Sequence, residues 1–133
     1  MGIVLDSGVV VGFLDRGDAL HEAADRAIRD LVGQRLLASV VTYAEVLTGA
    51  RMGHHDEDSV AGFFSSLLSG VLPVDIPVAD RAASLRSRFK SLRMPDALIL
   101  ATAETAPDVD VIVTGDRRLA KVSLVGCRVW LVG

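Results

Sequence analysis

Apolar positions along the chain follow two alternating rhythms. Short, nearly unbroken apolar runs occur at Gly2-Ile-Val-Leu-Asp6, Leu36 to Val41, Val71 to Asp75 (interrupted by Pro73), Val109 to Thr114 and Arg128 to Val132. Runs of this length read as strands buried on both faces. Between them, apolar residues recur every three or four positions. Leu20, Ala23, Ala24, Ala27, Ile28 and Leu31 form one such series, with Asp18 as the expected N-cap. A second helix opens at Thr42 and continues to about Met52, where Gly53-His-His-Asp-Glu makes a polar break. Val60, Phe63, Phe64, Leu67 and Leu68 mark a third helix, closed by Gly70. Val78, Ala82, Leu85, Phe89 and Leu92 mark a fourth, whose outer faces carry Arg81, Arg86, Arg88 and Lys90 as a solvated basic surface. Pro95 fits the first turn of a helix. The segment Ala97 to Ala103 is apolar nearly all round, so that helix is expected at the centre of the fold. A short basic helix is expected after Asp116.

Strands alternating with helices predict a three-layer α/β/α fold with a central parallel sheet. The chain has 133 residues and shows no internal repeat, linker or low-complexity tract, so one domain spanning residues 1–133 is expected. Hydrophobic residues make up 50% of it, enough for a packed core, whereas aromatics at 5% leave no platform for stacking bases. A net charge of −3, taken alone, argues against a module that grips nucleic acid by bulk electrostatics. It does not exclude a nuclease, whose catalytic carboxylates count as negative until a cation neutralises them. The single cysteine, Cys127, rules out an internal disulfide and any Cys-rich zinc cluster. His21, His54 and His55 fit no metal-binding spacing, and the adjacent pair reads as part of a polar turn. No apolar run reaches the length of a membrane span, and the N-terminus lacks the pattern of a signal peptide, so a cytosolic protein without membrane contact is expected.

The chemistry lies in four acids. Asp6, Glu45 and Asp116 fall at the C-terminal end of a predicted strand or at the start of the helix after it, and Asp96 opens the buried helix. Ligands of open α/β sheets collect at the carboxyl edge of the strands, so these acids are expected on one rim. Each has a structural alternative. Asp6 can cap the next turn, Thr42-x-x-Glu45 spells a capping box, Asp96 suits a helix dipole, and Asp116 can cap the helix from Arg117 to Lys121. Four converging carboxylates repel one another, and a hard divalent cation such as Mg²⁺ resolves the repulsion. Such a site can activate water and clamp a phosphodiester.

Four motifs carry a family resemblance. In order they are Ile3-Val-Leu-Asp6-Ser7, Val41-Thr-Tyr-Ala-Glu45-Val, Met94-Pro-Asp96-Ala-Leu-Ile and Val113-Thr114-Gly-Asp116. Together they resemble a PIN domain, and more narrowly the VapC-type toxins of bacterial toxin–antitoxin pairs. The resemblance implies Mg²⁺- or Mn²⁺-dependent endonucleolytic cleavage of RNA, with tRNA or rRNA as fitting substrates, and a 5′-phosphate on the downstream fragment. It also implies a cognate antitoxin and a homodimer. Carried across, Asp6 and Asp96 are the expected direct metal ligands. Glu45 and Asp116 complete the cluster directly or through water, and Ser7 and Thr114 supply hydroxyl support. Arg93, Arg117 and Arg118 are the nearest basic residues and are expected to contact RNA phosphates, the alternative being ordinary solvated charge. The chain departs from the family at Gly8, where a Ser or Asn is common, so the orientation of Asp6 is less fixed. That departure and the acidic pI of about 5.5 keep open a PIN-like interaction module with weak or no catalysis. A receiver-like signalling module is disfavoured, since Asp6 has no adjacent acid and Lys121 does not follow a strand.

Overall fold

A computed structural model describes all 133 residues. Five strands, β1 (Gly2–Leu5), β2 (Arg35–Ser39), β3 (Gly70–Leu72), β4 (Val109–Thr114) and β5 (Arg128–Leu131), form one sheet in the order β3-β2-β1-β4-β5. Every neighbouring pair is parallel. Because successive side chains alternate across a strand, the sheet feeds two cores. Ile3, Leu5, Leu36, Ala38, Val111 and Val113 pack on one face with helices α1 (Ser7–Leu14), α2 (His21–Leu31), α3 (Val40–Arg51) and α4 (Glu57–Gly62). Val4, Leu37 and Ile112 pack on the other with α5 (Ile76–Arg88), α6 (Met94–Thr105) and α7 (Arg117–Ala120). The three-layer α/β/α architecture is the one expected. No helix is long and apolar enough to cross a membrane.

Helix α6 is the buried central helix. Ala97, Ile99, Leu100, Ala101 and Ala103 are fully enclosed, and Pro95 sits in the first turn. Helix α1 has no counterpart in the sequence pattern, because Ser-Gly-Val-Val-Val-Gly-Phe-Leu is poor in helix formers. Packing overrides propensity: Val9 and Val10 are completely buried between the sheet and α2. Gly12 permits the close approach of the two helices, since a Cβ there would lie 3.2 Å from the Ala24 Cβ.

Several boundaries differ from expectation. Helix α3 begins at Val40, capped by Ser39, whose hydroxyl accepts from the Val41 amide at 3.1 Å. Thr42 and Glu45 therefore lie well inside the helix and form no capping box. Helix α2 starts at His21 with no side-chain cap, while Asp18 closes the preceding turn by accepting from the Leu20 amide at 2.9 Å. The third helix loosens into a π-helical turn over Phe63–Leu67, β3 ends at Leu72 just before Pro73, and α5 ends at Arg88. Leu92 still packs into the core from the loop beyond α5, which is why the apolar period outlasts the helix.

Candidate active site

Helix α1 leaves β1 on one face of the sheet, and α7 leaves neighbouring β4 on the other. Diverging connections open a crevice at the carboxyl ends of the two strands, where open α/β sheets bind ligands. Asp6 is the first residue after β1 and the N-cap of α1. Its Oδ1 accepts from the Ser7 amide at 2.8 Å, and its Oδ2 accepts from the Thr114 hydroxyl, on β4, at 2.7 Å. The Thr114 oxygen in turn accepts from the Asp116 amide at 3.0 Å. One buried threonine thus links the two acids across the crevice.

Only 6% of Asp6 is exposed. Burial pushes its carboxyl up from 3.8 to about 6, against the pull of its two hydrogen bonds and with a push from the charges of Asp96 and Glu45. Asp116 is driven the other way. The Arg118 guanidinium holds it below the usual carboxylate range, and the Arg118 amide and the charge of Arg93 add to the effect. Asp116 is also the N-cap of α7, as its alternative reading anticipated.

Glu45 reaches the crevice from α3. The Ser7 Oγ lies 2.7 Å from its Oε1 and 3.0 Å from the Thr42 Oγ1. Ser7 has one proton, and the carboxylate can only accept, so Ser7 donates to Glu45 and the Thr42 hydroxyl donates to Ser7. Asp96, the third residue of α6 and 8% exposed, sits at the positive end of the helix dipole, with Arg93 Nε 3.4 Å from its Oδ2.

These residues line a cleft of about 530 Å³ formed by Asp6, Ser7, Gly8, Asp18, Leu20, Glu45, Arg93, Asp96, Gly115, Asp116 and Arg117. The structure therefore brings all four expected acids to one cleft, together with Ser7, Arg93 and Arg117. Thr114 lies beneath it, fully buried, and Arg118 is turned onto Asp116 outside the lining. Asp18 and Leu20 were not foreseen as cleft residues. They arrive on the loop between α1 and α2, and a loop excursion leaves no periodic signal in the sequence. His21 and His55 lie elsewhere, their rings bonded to the carbonyls of Gly12 and Val46 at 2.7 Å.

The donor set is all oxygen, carboxylate and hydroxyl, which suits a hard divalent cation. The acids do not form a ready-made cage, since no group of three His, Cys, Asp or Glu side chains is placed to hold an ion unaided. Mg²⁺ does not need one. It keeps several of its waters and binds through one or two carboxylates. A carboxyl pushed up by burial, with a smaller push from the charges of Asp96 and Glu45, is the kind of group such an ion relieves.

A PIN-domain family model matches residues 3–124. Solved structures share the fold over almost the full chain. VapBC2 from Rickettsia felis, bound to a DNA fragment from its promoter, has a TM-score of 0.76 at 15% identity and covers 100% of both chains. VapC20 from Mycobacterium tuberculosis, described as a Sarcin-Ricin loop cleaving toxin, has a TM-score of 0.76 at 19% identity, covering 95% of this chain and 98% of its own. A toxin–antitoxin complex from Klebsiella pneumoniae has a TM-score of 0.71 at 23% identity, covering 90% and 92%. No curated protein sequence matches this chain significantly.

Proposed function

The chain belongs to the PIN-domain family, and from that premise we propose that it is a divalent-cation-dependent endoribonuclease, the toxin of a toxin–antitoxin pair. The observation that carries this reading is the convergence of Asp6, Glu45, Asp96 and Asp116 on one polar cleft. Asp6 and Asp96 would hold Mg²⁺ or Mn²⁺ directly, with Glu45 and Asp116 completing the shell, directly or through water. When bound, the ion supplies an acidified water and neutralises charge on the phosphate.

The chain's own residues do the remaining work. Thr114 and the Ser7 amide fix both oxygens of Asp6, so the carboxylate presents one orientation to the cleft. The Ser7 hydroxyl holds one oxygen of Glu45. Hydrogen bonds of this outer kind orient ligands and tune affinity. Arg93 and Arg117, both on the cleft wall, are placed to meet phosphates of the RNA and to offset the negative charge that develops during attack. Water attacks the scissile phosphate in line, the 3′ oxygen departs, and the downstream fragment carries a 5′-phosphate.

The Mycobacterium tuberculosis structure, described as cleaving the Sarcin-Ricin loop, favours a structured RNA such as rRNA or tRNA as substrate. Relatives solved as toxin–antitoxin complexes favour an antitoxin partner, and we place a homodimer and a cytosolic location in the same proposal. Residues 1–133 act as one PIN domain in it.

A second reading, a catalytically silent interaction module, draws on Gly8, which adds no side chain beside Asp6. The purified protein incubated with total RNA separates the two. Cleavage with Mg²⁺ that stops with EDTA, and is lost in folded Asp6→Asn and Asp96→Asn variants, supports the nuclease. Intact RNA under every condition leaves the silent module, and cleavage unchanged in both variants overturns the site.

A further inference from the structure

Asp116 differs from the other three acids in the company it keeps. Asp6 is held by a hydroxyl and an amide, Glu45 by a hydroxyl, and Asp96 by one long contact to an arginine. Asp116 alone is gripped at both oxygens by a guanidinium. Arg118 Nε lies 3.2 Å from Oδ1 and Nη2 lies 2.8 Å from Oδ2, while the Arg118 amide adds a third bond at 2.8 Å to Oδ1. Two-point Arg–carboxylate pairs are the strong class of ion pair. The Arg118 side chain is nevertheless 51% exposed, so it can turn outward without disturbing the core.

Resting on the nuclease reading above, we infer that Arg118 is a built-in counter-ion that competes with the divalent cation for Asp116. In the metal-free protein it occupies both oxygens of this cleft-lining acid. A cation that takes Asp116 as a direct ligand frees at least one of its oxygens, and the displaced guanidinium is then left on the rim beside Arg117. Asp116 Oδ1 still accepts from the Arg118 amide and caps α7 after the guanidinium leaves, so the helix start survives the exchange. Arg118 is on this account a positioning residue, acting on the metal through Asp116.

The test uses Mn²⁺ alone, without RNA, titrated into the full chain at low salt with free Mn²⁺ read by electron paramagnetic resonance. Arg118→Gln should tighten Mn²⁺ binding about two- to fivefold, the range expected for releasing a partly exposed ion pair. Arg118→Lys keeps the charge but loses the fork, and should fall between. In an Asp116→Asn background, itself weaker, Arg118→Gln should bring little further change. Equal or weaker binding by Arg118→Gln overturns the inference. So does a gain of the same size in the Asp116→Asn background, which would make Arg118 a through-space charge only. If the wild type binds Mn²⁺ and Asp6→Asn does not, such a failure falls on Arg118 alone. If the wild type binds no Mn²⁺, the nuclease reading falls and this inference with it.

Discussion

Replacing Asp6 by asparagine removes a carboxyl that burial disfavours in its charged form, and the variant should be more stable than the wild type above pH 6. The folded protein raises this group from 3.8 to about 6, so it binds the proton more tightly than the unfolded chain does. The penalty is therefore absent below the unfolded value, grows as pH rises from about 3.8 to 6, and is constant above that. The gap corresponds to roughly 3 kcal/mol at neutral pH. Asparagine keeps the bond from the Ser7 amide but leaves the Thr114 proton without its acceptor, a loss of about 1 kcal/mol. The net gain is about 2 kcal/mol, or roughly 5–10 °C in Tm for a chain of this size. Thermal unfolding followed by circular dichroism in EDTA, from pH 4 to 8, reads it directly. At pH 4 the gain should vanish or reverse. Added Mg²⁺ should raise the wild-type Tm at pH 7.5 and leave the variant unmoved. An asparagine variant less stable than wild type at pH 7.5, or an offset equal at every pH, would refute the reasoning.

Ser7→Ala removes the donor that fixes Glu45 and the bridge to Thr42. Metal affinity should fall about 10- to 100-fold while the fold persists, as isothermal titration with Mn²⁺ would show. Gly8→Ser should leave the unfolding free energy within about 0.5 kcal/mol of wild type, because a Cβ there meets nothing within 4 Å. The added hydroxyl beside Asp6 should increase cleavage, and a slower variant would count against the role given to this position. Glu104 is buried at its side chain, pairs with Arg81, and accepts from the Val125 amide at 2.7 Å. Glu104→Ala should cost about 2 kcal/mol by urea unfolding near neutral pH. That difference should fade in acid: Arg81 and Val125 lower the carboxyl from 4.5, so its contribution is lost as pH falls through the folded value.

The central strands β1, β2 and β4 were legible because strands buried along most of their length in a parallel sheet must be apolar, and four of the five runs ended at or near a strand end. Convergence of the acids followed from the same pattern, since strand ends in a parallel sheet share one rim. What escaped has physical causes. Helix α1 is rich in residues that disfavour helices, and tertiary burial of Val9 and Val10, which no periodic pattern announces, holds it. Thr42-x-x-Glu45 imitates a capping box, yet the chain turns helical at Val40, which frees Thr42 to support Ser7 and Glu45 to face the cleft. The periodic run ending at Leu92 reported packing and not helix, for the helix ends at Arg88. The grip of Arg118 on Asp116 depends on side-chain conformations two residues apart at a helix start, which spacing does not specify.

Where a divalent ion settles decides whether these four acids form a metal centre. A crystal soaked in Mn²⁺ and recorded for anomalous scattering should show a peak in the cleft against the carboxylates of Asp6 and Asp96, with Glu45 and Asp116 nearby. A crystal that stays free of Mn²⁺ in this cleft at saturating concentration, or carries the ion on another surface, would contradict that assignment.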